Sequence, residues 1–228
     1  MENRTILKAI YFKEWIKLKR LVIVPFLVLI AFIIDAYMKY KGVISIHGSS
    51  ALWLDLIYKQ SIHFAKLEWA LIGGGVWFAC LQFIPECSNK RLRLLFHLPV
   101  SYKFSMYSML SLGVMLNLLL LLIASFGLFI VFNTLHFPYE LYIPMIKTIF
   151  PWSLAGIVAY FVTATVIAEP MILRKLGFVF VGAIYISLLT ATNGFNSISS
   201  HLWIYILVSL PWILTFESAA LRVKEGKI

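Results

Sequence analysis

Long apolar stretches, separated by short polar and turn-rich breaks, dominate the pattern of hydrophobic and polar positions along this chain. A helix needs about 20 apolar residues to cross the hydrocarbon core of a bilayer. The ten-residue segments of alternating polarity that are typical of transmembrane β-strands do not occur in this pattern. We therefore predict six membrane-spanning helices, over residues 21–37, 69–84, 106–132, 142–168, 176–192 and 202–221.

The composition supports a membrane protein and excludes other classes. Hydrophobic residues make up 61% of the 228 residues, charged residues make up 13%, and the mean hydropathy is +0.90. Soluble domains carry about 25% charged residues, so this chain has too little polar surface to cover a globule in water. With 2 Cys, 12 Gly and 8 Pro, disulfide-scaffold and collagen-like classes are excluded as well. The expected fold is a single all-α transmembrane domain over residues 1–228.

The distribution of basic residues predicts the orientation. Fifteen of the 20 Lys and Arg residues precede the first predicted span, follow the last one, or lie in the second-to-third and fourth-to-fifth connections. Cytoplasmic loops carry the excess of Lys and Arg, so both termini are predicted to be cytoplasmic in a bacterial inner membrane. The net charge of +10 is then assigned to the anionic cytoplasmic leaflet rather than to nucleic acid. The residues after the first apolar run do not resemble a signal-peptide cleavage site.

The first 20 residues predict a helix that lies in the cytoplasmic membrane interface. Apolar side chains recur at helical spacing and form one stripe, with the Lys and Arg side chains outside it. Glu14 falls inside this apolar stripe, which requires either pairing with Lys17 or contact of that face with protein. The stripe consists of Leu7, Ile10, Tyr11, Trp15 and Leu18.

A second amphipathic segment, residues 86–101, connects the second and third predicted spans. It begins with Glu86, is basic, and ends in Leu-Pro-Val-Ser101. A solvated loop does not require so many large apolar residues, whereas a short helix that ends at Pro99 and docks in a groove of a soluble partner does. The large apolar residues are Leu92, Leu94, Leu95, Phe96 and Leu98.

This layout resembles the ABC-2-type permeases of type-2 ABC transporters. An N-terminal interfacial helix, six spans and a Glu-led segment ending in Leu-Pro-Val-Ser after the second span carry the resemblance. It implies that residues 86–101 form the coupling helix that contacts the ATPase. It also implies two ATPase subunits that carry ATP and Mg, a second identical or related permease chain, and export of an amphipathic substrate. The coupling residues implied are Glu86, Arg91, Arg93, Leu95, Phe96, Leu98 and Pro99.

Other chemistry is sparse in the sequence. The chain has no phosphate-binding loop, so the resemblance places ATP hydrolysis on a partner chain and predicts no enzymatic activity or bound cofactor here. Gly73, Gly74 and Gly75 lie inside a predicted span and indicate close packing between helices. Cys80 and Cys87 lack the spacing of a metal or redox pair, and the five His residues occur singly.

Acidic residues near the spans are the remaining candidates, because carboxylates are costly in lipid. Glu86 and Glu169 are predicted at cytoplasmic helix ends, where Lys or Arg of residues 86–101, or Arg174 and Lys175, would pair with them. Glu217 is expected at the interface. Candidates for gating or for charge pairs are Glu14, Asp35 and Glu169.

Three alternative functions also fit the sequence. A haem-exporter-like permease of cytochrome maturation has a similar length. A non-ATP accessory or immunity protein would also fit six spans. A membrane-embedded enzyme would need polar groups that converge inside the bilayer, and the spans offer few of them.

The apolar external stretch 38–68 is expected to lie on, or dip into, the outer interface.

Overall fold

The computed structural model describes residues 2–88, 101–191, 194–196, 198 and 201–225, and every regular element in them is a helix. The predicted all-α fold is therefore confirmed. In chain order the helices are α1 (Glu2–Leu18), α2 (Ile23–Ile57), α3 (Lys66–Ser88), α4 (Tyr102–Thr134), α5 (Tyr139–Lys147), α6 (Ile149–Ala168), α7 (Ile172–Thr190), α8 (Leu202–Ser209) and α9 (Pro211–Glu225).

Six segments in the described residues are long and apolar enough to cross a membrane, which confirms the predicted number of spans. Helices α2, α3, α4 and α7 each form one such segment, α5 and α6 together form the fourth, and α8 and α9 form the sixth. The two composite segments are interrupted at Thr148 and Leu210. A proline follows each interruption, Pro151 in the first turn of α6 and Pro211 at the start of α9, where its missing N–H costs no helical hydrogen bond.

The first span is longer than the sequence pattern predicts. Helix α2 contains 35 residues and has a kink at Gly48, whose φ is 79°. At about 1.5 Å per residue it exceeds the hydrocarbon thickness of about 30 Å. Residues 38–57, part of the stretch 38–68 that was predicted to be external, are thus a helical continuation of the first span. Leu52 and Leu56 are buried beyond the kink, so this part of α2 packs on protein.

Helices α3 and α6 form the centre of the bundle. Of an apolar stretch of 18 residues in the α5–α6 segment, 78% is buried. The corresponding value in α7 is 11%, so α7 lies at the periphery. A Cβ atom on Gly75 would lie 2.0 Å from the carbonyl oxygen of Gly156, so the two backbones are in direct contact. Gly74 packs closely on Leu120, whereas a Cβ on Gly73 would meet nothing within 4 Å. Close packing is therefore confirmed for two of the three glycines.

The N-terminal helix α1 packs against α3 and α4. Leu18 and Glu14 are fully buried, and the Tyr11 hydroxyl lies 2.7 Å from Ser111 Oγ of α4. Trp15, also on the predicted apolar stripe, is half exposed. One part of the stripe therefore meets protein and another part is open, and the location of α1 in a membrane interface stays a prediction.

Candidate functional site

The end of the bundle where α3 ends and α4 begins contains four charged side chains in direct contact. Lys13, Glu14 and Lys17 come from successive turns of α1, and Glu86 comes from the last turn of α3. Lys17 lies between the two carboxylates: its Nζ is 2.6 Å from Glu14 Oε1 and also contacts Glu86 Oε1. Lys13 Nζ is 2.9 Å from the same Glu86 oxygen. We call these four residues the charged cluster.

The carboxylates of the charged cluster are almost completely removed from solvent. The exposed fraction of the side chain is 0% for Glu14 and 1% for Glu86. Burial of charge is costly unless each charge is paired, and here two lysines match two glutamates. The pairing also explains how a glutamate can lie within the apolar stripe of α1. Both conditions predicted for Glu14, an ion pair with Lys17 and contact of its face with protein, are met.

The two glutamates differ in how well they are satisfied. Glu86 Oε1 has two lysine partners, whereas Glu14 Oε2 accepts no hydrogen bond from the part of the chain that the structure describes. Burial raises the pKa of Glu14 above its ordinary value, and this exceeds the lowering by Lys17 and Lys13; the negative charge of Glu86 raises the pKa further. Glu14 is therefore the proton-sensitive member of the charged cluster.

The described partners of Glu86 lie on α1, where the sequence pattern did not predict them. The expected Lys and Arg partners within residues 86–101 lie outside the described residues, Arg174 and Lys175 make no ion pair with Glu86, and the described partners come from α1. The reason is geometric, because α1 packs across the end of α3 and brings Lys13 and Lys17 to the same carboxylate. Glu14, an acidic residue on an apolar stripe, was the available signal for this contact.

Glu169 is also buried and paired, but with a residue that was not among its predicted partners. Glu169 follows the last residue of α6, and its Oε2 lies 3.1 Å from the guanidinium Nη2 of Arg222 on α9. Arg174 and Lys175, the predicted partners, lie in the first turn of α7. Arg174 is exposed on the side of α7 that faces Pro211 and Trp212 of α9, whereas Arg222, near the end of α9, reaches the Glu169 carboxylate.

A further ion pair connects α9 to α4 at the same end of the bundle. Glu217 Oε1 lies 2.9 Å from Lys103 Nζ, and Glu217 Oε2 accepts a hydrogen bond of 2.6 Å from the Tyr107 hydroxyl. The sequence pattern predicted an interfacial location for Glu217 without a partner. Residues 103 and 217 are far apart in the chain, and the sequence carried no signal that would connect them.

A buried polar network in the bundle interior was missed by the sequence analysis. The Gln82 side chain donates to the carbonyl oxygen of Met109 at 2.7 Å and accepts from the Tyr160 hydroxyl at 2.7 Å. Gln82 and Tyr160 are both buried, so α3, α4 and α6 are connected through hydrogen bonds where lipid cannot compete. A glutamine inside an apolar span was the available signal.

Asp35 lies at the opposite end of the bundle. Its carboxylate is 3.1 Å from Lys39 on the same helix and 3.1 Å from Lys66 at the start of α3. Its side chain is 31% exposed, so this pair is solvated and differs from the buried pairs of Glu14, Glu86 and Glu169. All three candidates for charge pairs, Glu14, Asp35 and Glu169, therefore have basic partners, and gating by any of them stays a prediction.

Most of the predicted coupling residues lie outside the described part of the chain. Glu86 is in the described residues, and Ser101, at the other end of the segment, accepts from the backbone N–H of Phe104 at 3.3 Å as the N-cap of α4. The segment therefore connects two helices that both contact α1. The coupling residues outside the described ranges are Arg91, Arg93, Leu95, Phe96, Leu98 and Pro99.

Metal-binding geometry does not occur in the described residues. No three side chains of His, Cys, Asp or Glu in those ranges come together as ligands of a metal ion would. His63 contacts Asp55 at 3.0 Å, and Cys80 and Cys87 are free thiols.

Comparisons with known proteins identify no relative. No protein-family model, curated protein or solved structure matches this chain.

Proposed function

We propose that this chain is the membrane-spanning permease subunit of an ATP-driven ABC transporter, an exporter of a lipid, peptide, drug or similar amphipathic substrate. Six segments able to span a membrane support a permease. The observation that carries the proposal is the attachment of Glu86 to Lys13 and Lys17. It connects the beginning of the amphipathic segment 86–101 to a separate helix through buried charges.

This attachment gives force on residues 86–101 a route into the bundle. The segment joins α3 to α4, and the charged cluster holds α1 on the end of α3. Helix α3 in turn contacts α6 through the backbones at Gly75 and Gly156, and Glu169 of α6 is paired with Arg222 of α9. A displacement of residues 86–101 would therefore move α1, α3 and α4 together and tilt α6 and α9 with them.

The partners follow from this proposal. Two ATPase subunits carrying ATP and Mg would drive the displacement, since the sequence of this chain has no phosphate-binding loop. A second permease chain, identical or related, would complete the translocation pathway between two six-helix halves. The purified chain alone is expected to bind no ATP, which equilibrium binding with a labelled nucleotide would measure.

Association with an ATPase is the direct test. The chain, tagged and purified from its native membrane in mild detergent, is expected to bring an ABC ATPase with it, identified by mass spectrometry. Changing Leu95 and Phe96 together to Ala should weaken this complex by on the order of 2–4 kcal/mol, because apolar anchors carry most of the energy of such interfaces. The matched control removes the same residue types from the exposed face of α4, as Leu122→Ala with Phe126→Ala.

The outcomes separate the proposal from its rivals. Loss of the ATPase in the first variant and its retention in the control would support a coupling role. Equal recovery in both would remove that role, and absence of any ATPase from the wild-type preparation would favour an accessory protein. Charge reversal of Arg91 and Arg93 to Glu should slow association and reduce its dependence on salt, since basic side chains near an interface act mainly on the on-rate.

A further inference from the structure

A groove with a volume of about 550 Å³ runs between the peripheral helix α7 and helix α9. Its walls are apolar apart from the guanidinium of Arg174, which lies at the start of α7. The hydroxyl of Thr215, which borders the groove, donates to the carbonyl oxygen of Trp212 at 2.8 Å and so offers no unused donor. The walls include Arg174, Gly177, Phe178 and Val181 of α7 and Pro211 and Trp212 of α9.

Arg174 is the charged residue of this groove, and no carboxylate in the described residues pairs with it. The nearby Arg222 differs, because its guanidinium is matched by Glu169 at 3.1 Å and also donates to Ser218 Oγ at 3.0 Å. Arg174 lies in the first turn of α7, where a spanning helix enters the membrane. An unmatched guanidinium at this level attracts an anion, and its planar fork suits a phosphate group.

The groove follows one face of α7 from the Arg174 guanidinium into the membrane, as the helical spacing of its α7 residues indicates. Gly177 and Phe178 lie three and four residues after Arg174, and Val181 lies four and three residues after them, so these residues share one face of α7. A Cβ on Gly177 would meet nothing within 4 Å, so the absence of a side chain keeps the groove open rather than allowing helices to touch. From Arg174 to Val181 the face is about 10 Å long, within a hydrocarbon core of about 30 Å.

We propose that this groove is a binding site for an acidic phospholipid of the surrounding bilayer. The phosphate pairs with Arg174, and one acyl chain follows the face past Gly177 toward Val181 and contacts Trp212. A basic side chain at the end of an apolar groove between spanning helices complements both parts of such a molecule. The proposal does not depend on ATP-driven transport and would hold for any function of the bundle.

Quenching of Trp212 by brominated lipids provides the test. The purified chain is placed in phosphatidylcholine vesicles that contain a small fraction of brominated phosphatidylglycerol or brominated phosphatidylcholine. The contribution of Trp212 is obtained by difference from the Trp212→Phe variant. Phosphatidylglycerol is expected to be preferred about fivefold, the effect of one basic side chain near a membrane surface.

Two pairs of variants assign the preference to this groove. Arg174→Gln should remove the preference for phosphatidylglycerol, whereas Arg20→Gln, which removes the same charge from an exposed position in the turn between α1 and α2, should retain it. Gly177→Leu should fill the groove and reduce quenching by both lipids. Gly42→Leu, at a helical glycine that is also surrounded by open space, should leave it unchanged.

Each outcome decides for or against the proposal. Equal quenching by the two lipids, or a preference that survives Arg174→Gln, would overturn the acidic phospholipid. Absence of quenching by both would mean that another chain covers the groove, which also overturns it. Native mass spectrometry is a second measurement that needs no change at Trp212: it should detect fewer phosphatidylglycerol molecules on Arg174→Gln than on Arg20→Gln, and equal numbers would contradict the proposal.

Discussion

The two ends of the bundle are held together by different interactions. At the end where α3 ends and α4 begins, the carboxylates of Glu14, Glu86 and Glu169 are buried. Glu14 and Glu86 pair with Lys17, and Glu169 pairs with Arg222. Two of these three carboxylates have their partners on another helix. At the opposite end, Asp35 and Asp55 are 31% and 24% exposed. Asp35 pairs with Lys39 on the same helix and with Lys66 at the start of α3, and Asp55 pairs with Lys59 just after the end of α2.

Aromatic packing replaces buried charge at that opposite end. The ring of Tyr40 lies 5.8 Å from Phe132 and 5.6 Å from Phe137, in edge-to-face geometry, and Phe64 lies 5.7 Å from Trp152. Such pairs stabilise by about 0.5–1.5 kcal/mol each beyond the apolar area they bury. Tyr40, Phe64, Phe132 and Trp152 are all buried, so this end is a dense and continuous part of the core.

The difference indicates which end can respond to a signal. Aromatic packing does not change with protonation or with the approach of a charged partner, whereas a cluster of buried charges changes with both. The charged end is also the one where residues 86–101 leave α3 and enter α4. A partner that binds there would act on interactions that can rearrange, while the aromatic end stays fixed.

The largest expected effect concerns which end faces the cytoplasm. Fusion of a reporter that is active only in the cytoplasm should give signal at residues 95 and 228 and none near residues 50 and 137. The expectation rests on the excess of Lys and Arg at the charged end. Signal from a fusion near residue 50 would place the aromatic end in the cytoplasm and would remove the charged end as a docking site for an ATPase.

The next prediction concerns the contact between α3 and α6 that connects the two ends. Gly75→Val should destabilise the chain by on the order of 4 kcal/mol or more, because its Cβ would meet the backbone of Gly156 at 2.0 Å. Gly73→Val is the matched control, two residues away in the same helix with open space around its Cβ, and should change stability by about 0.5 kcal/mol. Thermal unfolding in detergent would compare them, and equal losses would contradict the backbone contact.

A smaller effect distinguishes the carboxylates of the two ends. Glu86→Gln should cost about 3 kcal/mol, because it leaves Lys13 without a carboxylate partner and Lys17 with Glu14 alone next to a buried site. Asp35→Asn should cost less than about 1 kcal/mol, because its two lysine contacts are solvated. The same unfolding measurement applies to both variants. If the two losses were similar, the distinction between a charge-held end and an aromatic end would not hold.

The sequence predicted the helical architecture well because length and hydropathy alone determine which segments can cross lipid. The glycines at 74 and 75 were also recognisable, since small residues inside a span have few other uses. Apart from the pair of Glu14 with Lys17, which lie three residues apart, partner choice was not predictable. Glu169 pairs with Arg222 rather than Arg174, and Glu86 with Lys17, because the packing of α9 and α1 decides which basic residue reaches each carboxylate. The Gln82–Tyr160 hydrogen bond depends on the same three-dimensional information.

The smallest expected effect is the pH dependence of the charged cluster, which depends on Glu14. The groups that face this carboxyl are Lys13 and Lys17 of α1, Glu86 of α3 and Tyr160 of α6. Burial raises the pKa of Glu14 above its ordinary 4.5, so the folded chain binds more protons than the unfolded chain at pH values just above 4.5. Stability contributed by this group is therefore present at low pH and is lost as the pH rises through the raised pKa.

Glu14→Gln isolates this contribution, since glutamine resembles the protonated acid and cannot ionise. The variant should unfold at nearly the same temperature as the wild type near pH 4.5 and at a higher temperature near pH 8, where the wild type holds a buried carboxylate with an unpartnered oxygen. Asp35→Asn provides the control, because neutralising a carboxylate that is 31% exposed should not raise the unfolding temperature near pH 8. If Glu14→Gln were instead less stable than the wild type at pH 8, the ion pair with Lys17 would outweigh burial. Glu14 would then stabilise α1 on the bundle as Glu86 does, and the charged end would not respond to protonation.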